Sequence, residues 1–325
     1  LYRQINRVVT AWGRAEGAAM KICFIVNPNS ANGQTRSRFA AIQPGLAAVF
    51  PEMKVRYTER PCHAIDLACE VAGQDFEAVV AVGGDGTLNE VVSGLDRCGR
   101  PDSVLLGMIP SGTGGDFRKT SGFPKSMEQA VAYLSDWRER RVDYGVLTFR
   151  NLDGSSGRRP FINIASIGLS GVTDDYVNHT TKAFGGKASF MIGAVRGILA
   201  YRNVDMTVRV DGVQIHEGRT ALVTMANGRF FGGGMMMAPD AELDDGMLRV
   251  VILGDMGKLE FMSLSSAIYA GTHVKHPKCK LARGRVVEVE PASRALIDLD
   301  GEMPGMGPVR AEVIPGALRL MVPRL

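Results

Sequence analysis

Cysteine, tryptophan and long apolar runs are scarce in this chain, and each scarcity excludes a class of protein. Five cysteines among 325 residues, Cys23, Cys62, Cys69, Cys98 and Cys279, form no C-x-x-C pair. Neither a zinc ribbon nor a disulfide framework is signalled, and the expectation is reduced thiols packed as small core residues in a cytoplasm. No apolar run reaches the roughly 18 residues of a membrane-spanning helix, so any membrane contact is expected to be peripheral. The net charge is only +4, and no Lys/Arg block resembles a nucleic-acid arm. Anionic substrates or lipid surfaces are expected as partners, and nucleic acid is not.

What is present suits a two-domain protein, since 325 residues at 45% hydrophobic exceed what one core fills. Four apolar runs, Ile22 to Val26, Met53 to Tyr57, Ala78 to Val82 and Val104 to Ile109, recur with helix-compatible segments between them. This is βαβ spacing, and the unbroken Ala78 to Val82 run suits a strand covered on both faces. Beyond Arg141 the pattern changes to antiparallel. Val208 and Val210, then Asp211-Gly212, then Val213 and Ile215 predict a hairpin; Met247 to Leu253 and Val286 to Glu290 predict strands; Lys182 to Tyr201 predicts the one long helix of this half. Leu318 to Val322 is a strand that either domain could hold. The fold class is therefore an open, mostly parallel α/β nucleotide-binding domain followed by an antiparallel β-sandwich. The expected boundaries are residues 1–19 as an accessory extension, 20–142 as the α/β domain, completed or not by 308–325, and 143–307 as the β-rich domain. Met20 directly precedes the first strand and is a candidate start. Ile5, Val8, Val9 and Trp12 have helical spacing among Arg3, Arg7 and Arg14, which suits an interfacial helix as well as a plain extension.

The chemistry is carried by two glycine-rich turns. Gly83-Gly84-Asp85-Gly86-Thr87 follows the third strand and opens a helix whose apolar face is Leu88, Val91, Val92 and Leu95, with Thr87 and Glu90 at capping-box spacing. Glycines before a helix start allow phosphate to approach backbone N–H groups. A carboxylate in such a turn repels phosphate unless a cation lies between them, so Asp85 points to Mg²⁺ with a nucleotide. A second such turn, Pro110 to Phe117 with Asp116, follows the fourth strand, and Asn27 to Gly33 follows the first. Neither turn holds the P-loop or the G-x-G-x-x-G pattern.

Gly-Gly-Asp-Gly-Thr-Leu-Asn-Glu with a downstream Pro-Ser-Gly-Thr turn resembles the diacylglycerol kinase catalytic family, its bacterial lipid kinase branch and the related sphingosine kinases. Asp143-Tyr144-Gly145, Phe161 to Gly168, Gly232 to Ala241, Leu243 to Leu248 and Asp300-Gly301-Glu302 extend the likeness from Lys21 to the C-terminus. The resemblance implies an ATP- and Mg²⁺-dependent lipid kinase, transferring the γ-phosphoryl group to the hydroxyl of a lipid such as diacylglycerol in a cleft between two domains. It would work in the cytoplasm, peripheral at the inner membrane face; assembly as a homodimer stays open.

By the same resemblance Asp85 holds the catalytic Mg²⁺ through water, and Thr58, Gly83, Gly84, Gly86, Thr87, Asn89 and Thr113 contact the nucleotide. Glu302 is the expected proton acceptor with Asp300 as its partner; two residues apart on an extended chain, they would face one way. Glu242, Asp245 and Met247 are implied as ligands of a second, structural Mg²⁺. Phe230-Phe231 and Met235 to Met237 suit strand and core packing better than a lipid groove. Gly115 stands where relatives often carry Asn, and Ala31 where glycine is common. Two alternatives remain: a soluble kinase of the NAD kinase type, disfavoured by Asn89-Glu90 and Asp300-Gly301-Glu302, and a non-catalytic nucleotide sensor, disfavoured by retention of Asp85, Asp300 and Glu302.

Overall fold

The computed structural model describes residues 20–111, 115–173 and 195–324. The expectations for residues 1–19, and for most of the helix from Lys182 to Tyr201, lie outside the described residues. The chain divides into two compact units, one of the described residues up to Val142 together with those from Gly316 on, the other Asp143–Pro315. The closing segment thus joins the first unit from Gly316, later than the 308 expected.

In the first unit, strands β1 (Ile22–Val26), β2 (Lys54–Tyr57), β3 (Ala78–Gly83) and β4 (Leu105–Pro110) lie in the order β2-β1-β3-β4. All their pairings are parallel. β1 and β3 are buried along their whole length, as aliphatic strands covered on both faces must be, whereas Lys54 and Arg56 of β2 suit an edge. Helices α1 (Thr35–Val49), α2 (His63–Ala72), α3 (Asp85–Arg97), α4 (Asp116–Ser121) and α5 (Ala130–Ser135) accompany them. α2 buries Ala64, Leu67, Ala68 and Val71, one helical face.

α2 and α3 touch at Gly94, where a Cβ would stand 2.3 Å from the carbonyl oxygen of Ile65. The same approach brings Cys69 of α2 to Cys98 at the end of α3, and the two form a disulfide with Cα atoms 5.7 Å apart, leaving Cys23, Cys62 and Cys279 as thiols. The expectation of five reduced thiols is thereby corrected for Cys69 and Cys98. Helix packing joins residues 29 apart in sequence, and no local motif records such a pairing.

The second unit contains β5 (Trp137–Asn151), which enters it from the first, then β6 (Ser156–Phe161), β7 (Ile164–Gly168), β8 (Val204–Val210), β9 (Val213–Thr220) and β10 (Leu222–Ala226). The short hairpin β11 (Phe230–Phe231) and β12 (Met235–Met236) follows, then β13 (Leu248–Leu253), helices α6 (Lys258–Ser263) and α7 (Ser265–Tyr269), and β14 (Cys279–Gly284). β15 (Val286–Pro291), β16 (Ile297–Leu299) and β17 (Gly305–Pro323) end the chain's regular structure. One antiparallel sheet has the order β14-β13-β10-β7-β16. Opposite it, β8 pairs with β9 and β15, β15 with β17, and β5 with β6, all antiparallel. Leu147, Phe161, Ile167, Val208, Val223, Val250, Val287 and Val309 form the core that these strands share. The predicted hairpin turn is there, with Asp211 at φ 48 and Gly212 at φ 80.

β17 serves both units: its residues Val309 to Glu312 pair with β15, whereas Arg319 and Leu320 extend the parallel sheet beside β4. The Tyr133 hydroxyl donates to the Met321 carbonyl at 2.5 Å and fixes this last strand. Among the described residues no helix is long and apolar enough to cross a membrane.

The disulfide closes a 29-residue separation, for which chain entropy predicts about 3 to 4 kcal/mol of stabilisation. Thiol titration in denaturant without reductant should find three thiols, and five after reduction. Cys98→Ser should lower the melting temperature; an unchanged midpoint would show that the bridge does not restrain the unfolded chain.

Candidate active site

β1 is flanked by β2 on one side and β3 on the other, so the chain reverses its direction of winding there, and loops at the carboxyl ends of such strands form a crevice. The loops at those ends are cross-linked. The Asn27 side chain after β1 donates to the Thr87 hydroxyl at 3.2 Å; the hydroxyls of Ser30, Thr35 and Ser111 lie in a row with 2.6 Å contacts; the Ser111 N–H donates to Gly83 at 2.7 Å. Thr58, at the end of β2, is buried and its N–H donates to Val26.

Within the first glycine-rich turn the three glycines have different duties. A Cβ on Gly83 would meet the Thr87 hydroxyl at 2.3 Å, so this position is closed to any side chain. Gly84 and Gly86 have nothing within 4 Å of a Cβ, and their faces are open to a ligand. α3 begins at Asp85 with Gly84 as its N-cap and no side-chain cap. The capping box expected from Thr87 and Glu90 is therefore corrected: Glu90 instead accepts from the N–H groups of Cys62 at 3.3 Å and Ala64 at 3.1 Å, capping α2. The sequence spacing could not reveal this longer-range duty. Asn89 is buried on the inward side of α3.

Asp85 ties the two glycine-rich turns together. One carboxylate oxygen, Oδ2, accepts from the Gly115 N–H at 2.9 Å and the Asp116 N–H at 2.8 Å. The other, Oδ1, is buried and has no hydrogen-bond partner among the described residues. Burial pushes this carboxyl above its ordinary value, against the two amide bonds that lower it. A buried oxygen lacking a partner costs free energy, and a cation or its water shell would supply the missing contact. The residues at Asp85 thus fit a Mg²⁺. Gly115 has φ 101, in the left-handed region that favours glycine, and this conformation aims its N–H at Asp85. Thr113 lies outside the described residues.

In the second unit Asp300 and Glu302 do not act as a pair facing one way. The chain turns there: Asp300 has φ 51, and Leu299 and Glu302 exchange backbone hydrogen bonds. The expectation from extended geometry is corrected by this turn. Asp300 accepts from the N–H groups of Ile162, Asn163 and Ile164 at 2.8 to 3.1 Å. Asp298, buried beside it, accepts from Gly301 N–H at 2.9 Å. Glu302 is 46% exposed along its side chain and pairs with Arg159 Nη2 at 2.8 Å. Arg159, on β6, was invisible to motif reading because its partner lies 143 residues away.

Glu242 is at the surface, and the turn that begins at Leu243 places Asp245 against Arg249, whose Nη2 lies 2.9 Å from Asp245 Oδ2. Asp245 Oδ1 accepts from the Met247 N–H at 3.0 Å, and the buried Asp143 accepts from Gly246 N–H at 2.7 Å. Arg249 is shared, its Nε lying 3.3 Å from Asp240 Oδ2 as its Nη2 meets Asp245. Among the described residues no cluster of three or more His, Cys, Asp or Glu could hold a metal.

Two predictions separate these roles. A raised Asp85 value means that the native state is relatively favoured when this carboxyl is neutral and loses stability as pH rises through the folded value. Asp85→Asn should therefore melt higher than wild type at pH 7 without metal, the gap closing below pH ~4, the ordinary carboxylate range; thermal melts between pH 4 and 8 check this. Asp300→Ala orphans three N–H groups and should cost about 3 kcal/mol or more in urea denaturation, whereas Glu302→Gln at the surface should leave the midpoint nearly unchanged.

Residues 21–147 match the family model "Diacylglycerol kinase catalytic domain", and residues 163–322 match "YegS C-terminal NAD kinase beta sandwich-like domain". A diacylglycerol kinase of Bacillus subtilis is 29% identical over 88% of this chain and 90% of its own length. The crystal structure of a diacylglycerol kinase from Bacillus anthracis superposes with a TM-score of 0.71 at 21% identity, covering 94% of this chain and 98% of that one. Yeast NADH kinase is similar in fold alone, with a TM-score of 0.56 at 10% identity over 94% of this chain and 84% of its own. Two adjoining family models, relatives matched nearly end to end and a glycine-rich turn closed around Asp85 agree: the chain belongs to the diacylglycerol kinase catalytic family.

Proposed function

We propose that the chain transfers the γ-phosphoryl group of ATP, with Mg²⁺, to the hydroxyl of a lipid such as diacylglycerol. The observation that carries this reading is Asp85, whose Oδ2 is fastened by two backbone N–H groups while its Oδ1 is buried without a partner among the described residues, at the end of a parallel strand. Such a carboxylate beside open glycine faces suits a nucleotide bound with its cation. Bound there, Mg²⁺ would supply neutralisation of the phosphate charge.

The residues of the chain do the rest. Gly84 and Gly86 let the phosphates approach the backbone, and the N–H groups at the start of α3 receive them. The lipid hydroxyl oxygen attacks the γ-phosphorus, the bond to the bridging β–γ oxygen breaks, and ADP leaves. Glu302 accepts the hydroxyl proton, while Arg159 orients its carboxylate. Asp300 positions the turn that carries Glu302 and does not itself exchange protons, since three N–H groups occupy its oxygens. Curated relatives carrying the name diacylglycerol kinase favour the lipid acceptor over NAD.

The test is transfer of label from γ-labelled ATP to hydroxyl lipids in mixed micelles, with NAD as a soluble comparison. Label should enter a lipid, and Glu302→Gln should lower turnover by about 100-fold or more without loss of ATP binding. Label in NAD alone, or full turnover by the variant, would overturn the acceptor or the base respectively.

A further inference from the structure

α6 and α7 form one nearly continuous helical stretch, joined through Leu264, whose N–H donates to Glu260 and whose carbonyl accepts from Ile268. It has two apolar stripes. Phe261, Leu264 and Ile268 pack onto the buried cluster around Val251, Leu253 and Met256. Leu259, Met262 and Tyr269 recur at i, i+3 and i+10, within roughly 80° of arc on the opposite side. They are 82%, 41% and 46% exposed. Leu199, also 52% exposed, adjoins this stripe, because its carbonyl accepts from Lys258 at the start of α6. Core packing explains the first stripe; nothing among the described residues of the unit covers the second.

The charge around the stripe is mainly positive, its nearest acids, Glu260 and Asp255, being paired with Lys278 and Arg219. No Asp or Glu occurs between Glu260 and Glu288, a span holding Lys275, Lys278, Lys280, Arg283 and Arg285. All five are exposed, and Glu260 itself is matched by Lys278 at 2.7 Å. Arg196 and Arg202 flank Leu199 at the surface. Exposed leucine, methionine and tyrosine beside a surplus of cations complement an anionic bilayer, with apolar tips at the acyl boundary and cations among headgroup phosphates.

We propose that this face of the second unit docks the protein on an anionic membrane surface. The inference rests on the lipid-kinase reading for its purpose, and on Leu259, Met262, Tyr269 and Leu199 for its location. The test is flotation of the full chain with vesicles of phosphatidylcholine alone or mixed with phosphatidylglycerol, comparing wild type with the Leu259→Glu/Met262→Glu double variant. Wild type should float with the anionic vesicles, and the double variant should bind them about tenfold or more weakly. Its melting temperature and its phosphorylation of a monomeric short-chain diacylglycerol should not change. As an independent readout, Leu259→Trp should shift its emission to the blue on anionic vesicles.

Equal vesicle binding by the double variant, no wild-type binding, or no shift of the tryptophan would overturn the proposal. So would loss of self-association in place of lost vesicle binding, which would assign the face to a second copy. Lost flotation in the double variant while wild type phosphorylates no lipid would leave the docking face standing and remove the proposed reaction. Phosphorylation with unchanged flotation would do the reverse.

Discussion

Everything in the first unit turns on a buried negative charge that the protein itself only half satisfies. Among the described residues Asp85 receives two backbone N–H groups at one oxygen and nothing at the other. A buried, partnerless oxygen costs on the order of 1–3 kcal/mol, a cost that the surrounding fold carries and that a cation would relieve. The rest of the turn follows from keeping that charge in place. Gly83 yields its space to Thr87, Thr87 is reached by Asn27, and Gly115 adopts a left-handed backbone so that its N–H can meet the carboxylate.

The acids of the second unit illustrate how similar residues acquire different work. Asp300 is consumed by the backbone, holding the N–H groups of residues 162–164. Asp245 is consumed by Arg249. Glu302, half exposed, is held by the Arg159 guanidinium instead. The difference lies in backbone direction: a left-handed residue at Asp300 turns its carboxylate inward and lets the chain present Glu302 two residues later.

Much of this was legible in the sequence, for physical reasons. β1 and β3 are solid aliphatic runs, and no other structure suits Ala78 to Val82 between turn-forming segments. The Asp211-Gly212 turn was legible because few residues tolerate positive φ in succession. The glycines and Asp85 could be picked out by chemistry. What escaped was long-range. The partner of Cys69 is set by helix packing at Gly94, and the partner of Glu90 by the loop before α2. The salt bridge from Arg159 to Glu302 joins β6 to the turn between β16 and β17 across 143 positions. Spacing rules describe faces of single elements, and they failed where a turn replaced an extended chain at Asp300.

β17 carries a consequence for how the protein comes into being. The parallel sheet gains its Arg319–Leu320 neighbour beside β4 only after the entire second unit has been synthesised. A ribosome that has released the first 142 residues has therefore made a nucleotide-binding sheet with a bare edge at β4, and bare edges pair with other chains. Early folding of the second unit, which has its own core, shortens the interval during which that edge is exposed. The order of translation thus sets a window of aggregation risk that ends when Met321 reaches the Tyr133 hydroxyl.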